Sequence, residues 1–88
     1  MAWRVELTCR AEEDLDRLGR AESARVLRFL QERVAGEEDP RRMGKRLKGV
    51  LREFWRYRVG ACRVLCRIED NRLLVLVVRV GDRKEVYQ

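Results

Sequence analysis

The stretch EFWRYRVGACRVLCRIED, residues 53–70, sets four arginines (Arg56, Arg58, Arg63 and Arg67) among residues that favour the inside of a sheet. A guanidinium stays charged at any working pH and forks onto pairs of phosphate oxygens. A fixed cluster of them suits a nucleic-acid backbone or the charge that develops in phosphoryl transfer. The chain has no histidine, so the commonest general base and the commonest zinc ligand are both absent. Nothing in the sequence calls for a metal or a cofactor, and any catalysis must run on other side chains.

The arginines share a face if Gly60-Ala61 is a two-residue hairpin turn. Val59 then pairs with Cys62, Arg58 with Arg63 and Arg56 with Leu65, while Trp55, Tyr57 and Val59 point the other way. Like charges directly across two strands destabilise a sheet, so Arg58 and Arg63 conflict with good folding unless an anion lies between them. A local rule broken in this way marks a candidate functional site. The competing reading is that Glu53, Glu69 or Asp82 neutralises the cluster.

The elements that must position this hairpin follow from periodicity. AWRVEL alternates Trp3, Val5 and Leu7 with Arg4 and Glu6, which predicts a first strand with one face buried. Thr8 is placed to cap a helix carrying Glu12 and Glu13 early and Ala11, Leu15 and Leu18 at helical spacing, with Gly19 ending it. Residues 21–35 predict a second helix with Ala24, Leu27, Leu30 and Val34 along one stripe, forming a helical hairpin with the first. GEEDPRRMGKRLKG, residues 36–49, reads as a basic loop with one helical turn. EFWRYRV, CRVLCRIE and RLLVLVVRV then predict three strands joined by tight turns at Gly60-Ala61 and Asp70-Asn71. The last of them is apolar on both faces and therefore central and covered on both sides. The fold class is α+β, with the order β-α-α-β-β-β: an antiparallel meander with an N-terminal strand and the helical hairpin packed on one face.

Eighty-eight residues make one small domain, 1–88, with room for a single site. The longest apolar run, Leu73 to Val78, is far short of the ~20 residues that span a bilayer. The start of the chain has no signal-peptide pattern, which predicts a cytoplasmic protein with no membrane partner. Cys9, Cys62 and Cys66 lack the spacing of a disulfide framework or a zinc site and are expected to be buried thiols. Residues 1–40 carry seven arginines against ten acids, whereas residues 41–88 carry fourteen lysines and arginines against five acids. That basic half favours a polyanion, nucleic acid ahead of an anionic membrane, over a merely solvated surface. Lys45, Arg46, Lys48 and Arg52 stand just before the hairpin and are candidates for non-specific phosphate contacts.

The segment LKGVLREFWRYRVGACRVLCRIEDNRLLVLVVRVGDRKEVYQ resembles the C-terminal half of RelE toxins of the RelE/ParE superfamily, and RAEEDLDRL resembles their N-terminal helix. The resemblance covers essentially the whole chain and implies a microbial-RNase-like fold. It also implies a cytoplasmic toxin of a type II toxin–antitoxin system that cleaves mRNA in the ribosomal A site without a metal. The ribosome and mRNA would be its targets, and a RelB-like antitoxin would neutralise it in a toxin–antitoxin hetero-oligomer. Carried over by motif, the catalytic set is Arg56, Arg58, Arg63, Arg83 and Tyr87, with Arg63 and Arg83 on the scissile phosphate and Tyr87 stacking or exchanging a proton. The sequence departs from the pattern at Cys62, where a tyrosine is usual, and at Asp82, where a basic residue or histidine is common. Arginine at 56 and 58 is also a poor general base. The alternatives are therefore a weakened RNA-binding homologue and a ParE-like gyrase poison.

Overall fold

The computed structural model describes residues 3–82. The chain runs as β1 (Arg4–Leu7), α1 (Cys9–Leu18), α2 (Arg20–Phe29), β2 (Lys45–Arg46), β3 (Trp55–Val59), β4 (Cys62–Glu69) and β5 (Leu74–Asp82), with the strands in one sheet of order β1-β5-β4-β3-β2. The meander β3-β4-β5 is antiparallel as expected. β1 joins it parallel to β5, with Arg4 opposite Leu74, so the sheet is mixed.

The helices form where capping and spacing place them. Thr8 Oγ1 accepts from the Ala11 N–H at 3.1 Å and starts α1. Gly19 separates α1 from α2. α2 continues as a π turn over Leu30–Val34, closed by the Ala35 N–H donating to the Leu30 carbonyl at 2.9 Å. The buried stripe of this second helix is Val26, Leu30 and Val34, and Ala24 is exposed. The expected stripe was displaced because the bulkier Val26, not Ala24, fills the space above the sheet.

One face of the sheet meets the helices. Tyr57, Val59, Cys62, Val64, Cys66, Val75, Val77 and Val80 pack with Ala11, Leu15, Val26, Leu30 and Val34 into one core. The centre is Tyr57, fully buried, its hydroxyl donating to the Pro40 carbonyl at 2.7 Å and its ring edge-on to Phe29 at 5.7 Å. β5 is central, but the helices cover only its Val75, Val77 and Val80 face. Leu74 is buried on the other face, whereas Leu76 and Val78 stay half-exposed, so the expected cover on both sides is incomplete.

The basic loop contains the helical turn expected of it, a 3-10 turn at Pro40–Met43, and also the short strand β2, where loop is expected from composition. β2 exists because Gly44 lies against Tyr57. A Cβ there would come within 3.0 Å of the Tyr57 ring and 3.2 Å of the Arg56 carbonyl, so any side chain would push these neighbours back by a few tenths of an ångström, and glycine lets the segment close on β3 without that shift. The second hairpin connection is longer than the expected Asp70-Asn71 turn: a 3-10 turn over Asp70–Arg72 followed by Leu73 at φ 49°. Cys62 and Cys66 are buried as expected. Cys9 is exposed, because it is the first residue of α1 and points away from the sheet-facing Ala11.

Candidate functional site

The β3–β4 register is the one that a two-residue turn dictates: Arg58 lies opposite Arg63, Arg56 opposite Leu65 and Val59 opposite Cys62. Alternation puts Arg56, Arg58 and Arg63 on the face away from the helices, with Tyr57 and Val59 in the core beneath them. Arg58 is exposed, and Arg56 and Arg63 are half-buried. Leu65 is 6% exposed yet lies outside the helix-packed core. The register surrounds it with Arg56, Arg63 and Arg67, whose aliphatic stems are the kind of cover that fixes a guanidinium while leaving its tip outside. Like charges on directly opposed residues destabilise a strand pair by up to about 1 kcal/mol at a solvated surface.

Of the three acids that might have neutralised the cluster, one meets its outermost member, Arg67, and one meets Arg72. Glu53 bridges to Arg67 at 3.5 Å and Glu69 to Arg72 at 3.2 Å. Asp82 stands opposite Cys62, whereas Arg63 stands opposite Gly81. Burial pushes the Cys62 thiol above its ordinary value, and Glu22, which accepts from Sγ at 3.7 Å, adds to this. Burial pushes the Cys66 thiol up to about 12. Neither thiol is an available nucleophile near neutral pH.

The other basic candidates are divided between places. Lys45 pairs with Arg56 and therefore shares its face, while Arg46 pairs with Trp55 and lies on the opposite one. Lys48 and Arg52 flank the 3-10 turn Gly49–Leu51. Arg83 and Tyr87 lie outside the described residues. A cation that strand alternation could not reveal is Arg25 on α2. A Cβ on Gly60, which sits at φ 61°, would lie 2.9 Å from Arg25 Nη1, so this guanidinium rests on the β3–β4 turn itself. Arg58, Gly60, Ala61, Cys62 and Arg63 line a recess of about 140 Å³ at that turn. Its floor is small and its rim is basic, which suits a phosphate-sized anion more than an apolar ligand.

Comparisons with known proteins identify the family and the fold. A family model described as the ParE toxin of type II toxin-antitoxin system, parDE, matches residues 5–87. Toxin RelG of Mycobacterium tuberculosis (strain ATCC 25618 / H37Rv) is 33% identical over 90 residues, covering 100% of this chain and 99% of that protein. Among solved structures, the toxin–antitoxin complex RelBE2 from Mycobacterium tuberculosis matches with a TM-score of 0.85 and 30% identity, over 97% of this chain and 95% of that one. The isolated E. coli RelE toxin matches with a TM-score of 0.72 at 18% identity, over 98% of this chain and 89% of that one, a likeness of fold. The chain belongs to the ParE toxin family of the RelE/ParE superfamily, and it is a toxin of a type II toxin–antitoxin system.

Proposed function

We propose that this toxin is a ribosome-dependent mRNA endoribonuclease that acts in the cytoplasm and cuts mRNA in the ribosomal A site. In the proposed reaction the ribose 2′-oxygen attacks the adjacent phosphorus, the bond from phosphorus to the 5′-oxygen breaks, and a 2′,3′-cyclic phosphate and a 5′-hydroxyl result. The proton lost from the 2′-hydroxyl goes to a base, and the leaving 5′-oxygen gains one. Arg56, Arg58 and Arg63 hold the scissile phosphate and stabilise the extra charge on its oxygens, with Arg83 and Tyr87 completing the set. No metal ion or cofactor takes part. Lys45, Arg46, Lys48 and Arg52 supply phosphate contacts to RNA outside the reacting bond.

The observation that carries this reading is the register, which opposes Arg58 to Arg63 and sets Arg56 two residues along the same open face. Two always-charged groups held this way lower the energy of a dianionic phosphorane more than that of the singly charged diester, which is what catalysis requires. A RelB-like antitoxin is the proposed neutralising partner. It would bind as a hetero-oligomer, as RelB does in the E. coli RelBE complex.

A second reading, gyrase inhibition, is kept because the matching family model is named for ParE toxins. Primer extension on an mRNA in translating ribosomes separates the two. Discrete A-site cuts that an Arg58→Ala/Arg63→Ala variant fails to make support the nuclease. Absent cuts from folded protein, together with inhibited DNA supercoiling that survives the same substitutions, would establish the gyrase poison instead.

A further inference from the structure

A second recess lies at the other end of the β3–β4 hairpin from the Gly60-Ala61 turn. It is an open groove of about 440 Å³ lined chiefly by Arg41, Arg46, Arg52, Arg67, Glu53 and Trp55. Four guanidiniums line it with Glu53, a second carboxylate, Asp70, pairs with Arg41, and each guanidinium is held by a specific contact. Arg46 Nε donates to the Arg52 carbonyl at 2.8 Å, which spends one of its five donors, and Arg52 Nη1 donates to the Gly49 carbonyl at 3.4 Å. Arg67 meets Glu53 at 3.5 Å. Arg41 is gripped through both terminal nitrogens by Asp70, at 3.0 and 2.5 Å, and its guanidinium carbon lies 5.7 Å from the centre of the Trp55 ring. The groove thus combines fixed cations with a half-exposed aromatic–guanidinium platform.

We propose that this groove is a second RNA contact, which takes the backbone of single-stranded RNA beyond the scissile nucleotide and stacks one base on the Trp55–Arg41 platform. It rests on the reading of the toxin as an RNA-cutting protein, since that reading supplies the strand that extends from the hairpin tip. Positively charged channels with interleaved aromatic rings bind single strands in this way, the cations tracking phosphates and the ring accepting any base. Trp55 and Arg58 are three residues apart on β3, about 10 Å along the strand but on opposite faces, so one RNA strand reaches both by passing round the edge of the sheet. Arg56 and Lys45, paired across β3 and β2, lie between them. Arg67 shares the face of Arg63 and carries the positive surface round the end of the sheet into the groove. A ligand with charge at regular intervals along its length matches this row better than an isolated anion.

The test is a titration with a fluorescently labelled, 2′-O-methylated single-stranded RNA of about ten nucleotides, read by anisotropy across a salt series. Capping the 2′-oxygen removes the attacking group, so binding is measured apart from cleavage. Wild type is compared with Arg67→Ala, Arg46→Ala/Arg52→Ala and, as the hairpin-tip control, Arg58→Ala/Arg63→Ala, each checked for folding by circular dichroism. The groove double variant is expected to bind about tenfold more weakly, with the slope of log affinity against log salt reduced by roughly 1 to 2. Arg67→Ala is expected to lose about threefold. Unchanged affinity and slope in the groove variants would overturn the proposal. So would retained RNA binding with lost binding of a polyglutamate peptide, which would make the groove an acidic-protein dock. RNA binding that depends on the groove in a protein that makes no ribosomal cuts would leave this inference standing and remove the nuclease reading instead.

Discussion

Two groups of arginines in this small chain meet opposite fates. Around Asp14 on α1 they gather on one buried carboxylate. The carboxylate is 3% exposed and accepts from Arg79 Nε at 2.8 Å and from the Val80 N–H at 2.9 Å, with Arg17 at 3.5 Å and Arg10 at 4.0 Å. Across the β3–β4 hairpin, the residue facing Arg58 is another arginine. β1 ends opposite Val77, so Asp14 also supplies the acceptor that a longer edge strand would have given Val80. The first cluster completes the sheet and carries its own anion. The second sets two like charges side by side on an open face at a small cost to the fold, which is how a fold component and a binding site differ when built from the same residue type.

The sharpest way to break this contrast is Asp14→Ala, which would leave Arg79 and the Val80 N–H without their acceptor. We expect a loss of about 3 kcal/mol, discounted from the fully buried case because Arg79 is 30% exposed, measured as a shift in the urea midpoint. Acid should erode the same contact. Burial pushes the Asp14 carboxyl up, but the hydrogen bonds from Arg79 and Val80 and the charges of Arg79 and Arg10 outweigh it, so its value lies below 3.8. A carboxyl depressed in the fold contributes stability that is fully present above its unfolded value and is lost as pH falls through the folded one. Wild type should therefore lose stability steeply below about pH 4. In an Asp14→Asn variant that part of the pH profile should be absent.

Next in size, Arg63→Ala should respond in the reverse sense. Removing a like charge leaves the urea midpoint within about 0.5 kcal/mol of wild type, whereas A-site cleavage falls by roughly 10²-fold or more. An Arg63→Ala protein that loses stability but cuts normally would show that the hairpin cluster is a structural feature like the one at Asp14. The smallest effect is expected from Arg58→Glu, which places an acid opposite Arg63 and so copies the Asp14 arrangement onto the hairpin. It should raise stability by about 0.5 kcal/mol in denaturant titration. Loss of stability would show that the two arginines are not in repulsive contact in solution.

Much of the site was legible because its geometry is local. A two-residue turn at Gly60-Ala61 leaves a single register, and period-two alternation then assigns every hairpin side chain to a face, so Arg56, Arg58 and Arg63 were placed together before any tertiary contact was known. The Thr8 cap, the Gly19 boundary and the three C-terminal strands were equally local. Lys45 and Arg46 were seen as basic, yet their division between the two faces was not, because β2 forms only where Gly44 can lie against Tyr57. Arg25 was invisible as a neighbour of the turn, since helical spacing marks it only as a residue off the apolar stripe.

The sequence by itself determined the α+β class, the hairpin register and the excess of positive charge in the second half, since these depend on near neighbours and on composition. Only the tertiary structure decided that β1 runs parallel to β5, that Asp14 reaches Arg79 across 65 positions, and that Arg41 reaches Asp70 beside Trp55 to line a groove. Those choices depend on which surfaces meet once the core around Tyr57 closes, and side-chain periodicity carries no record of distant partners.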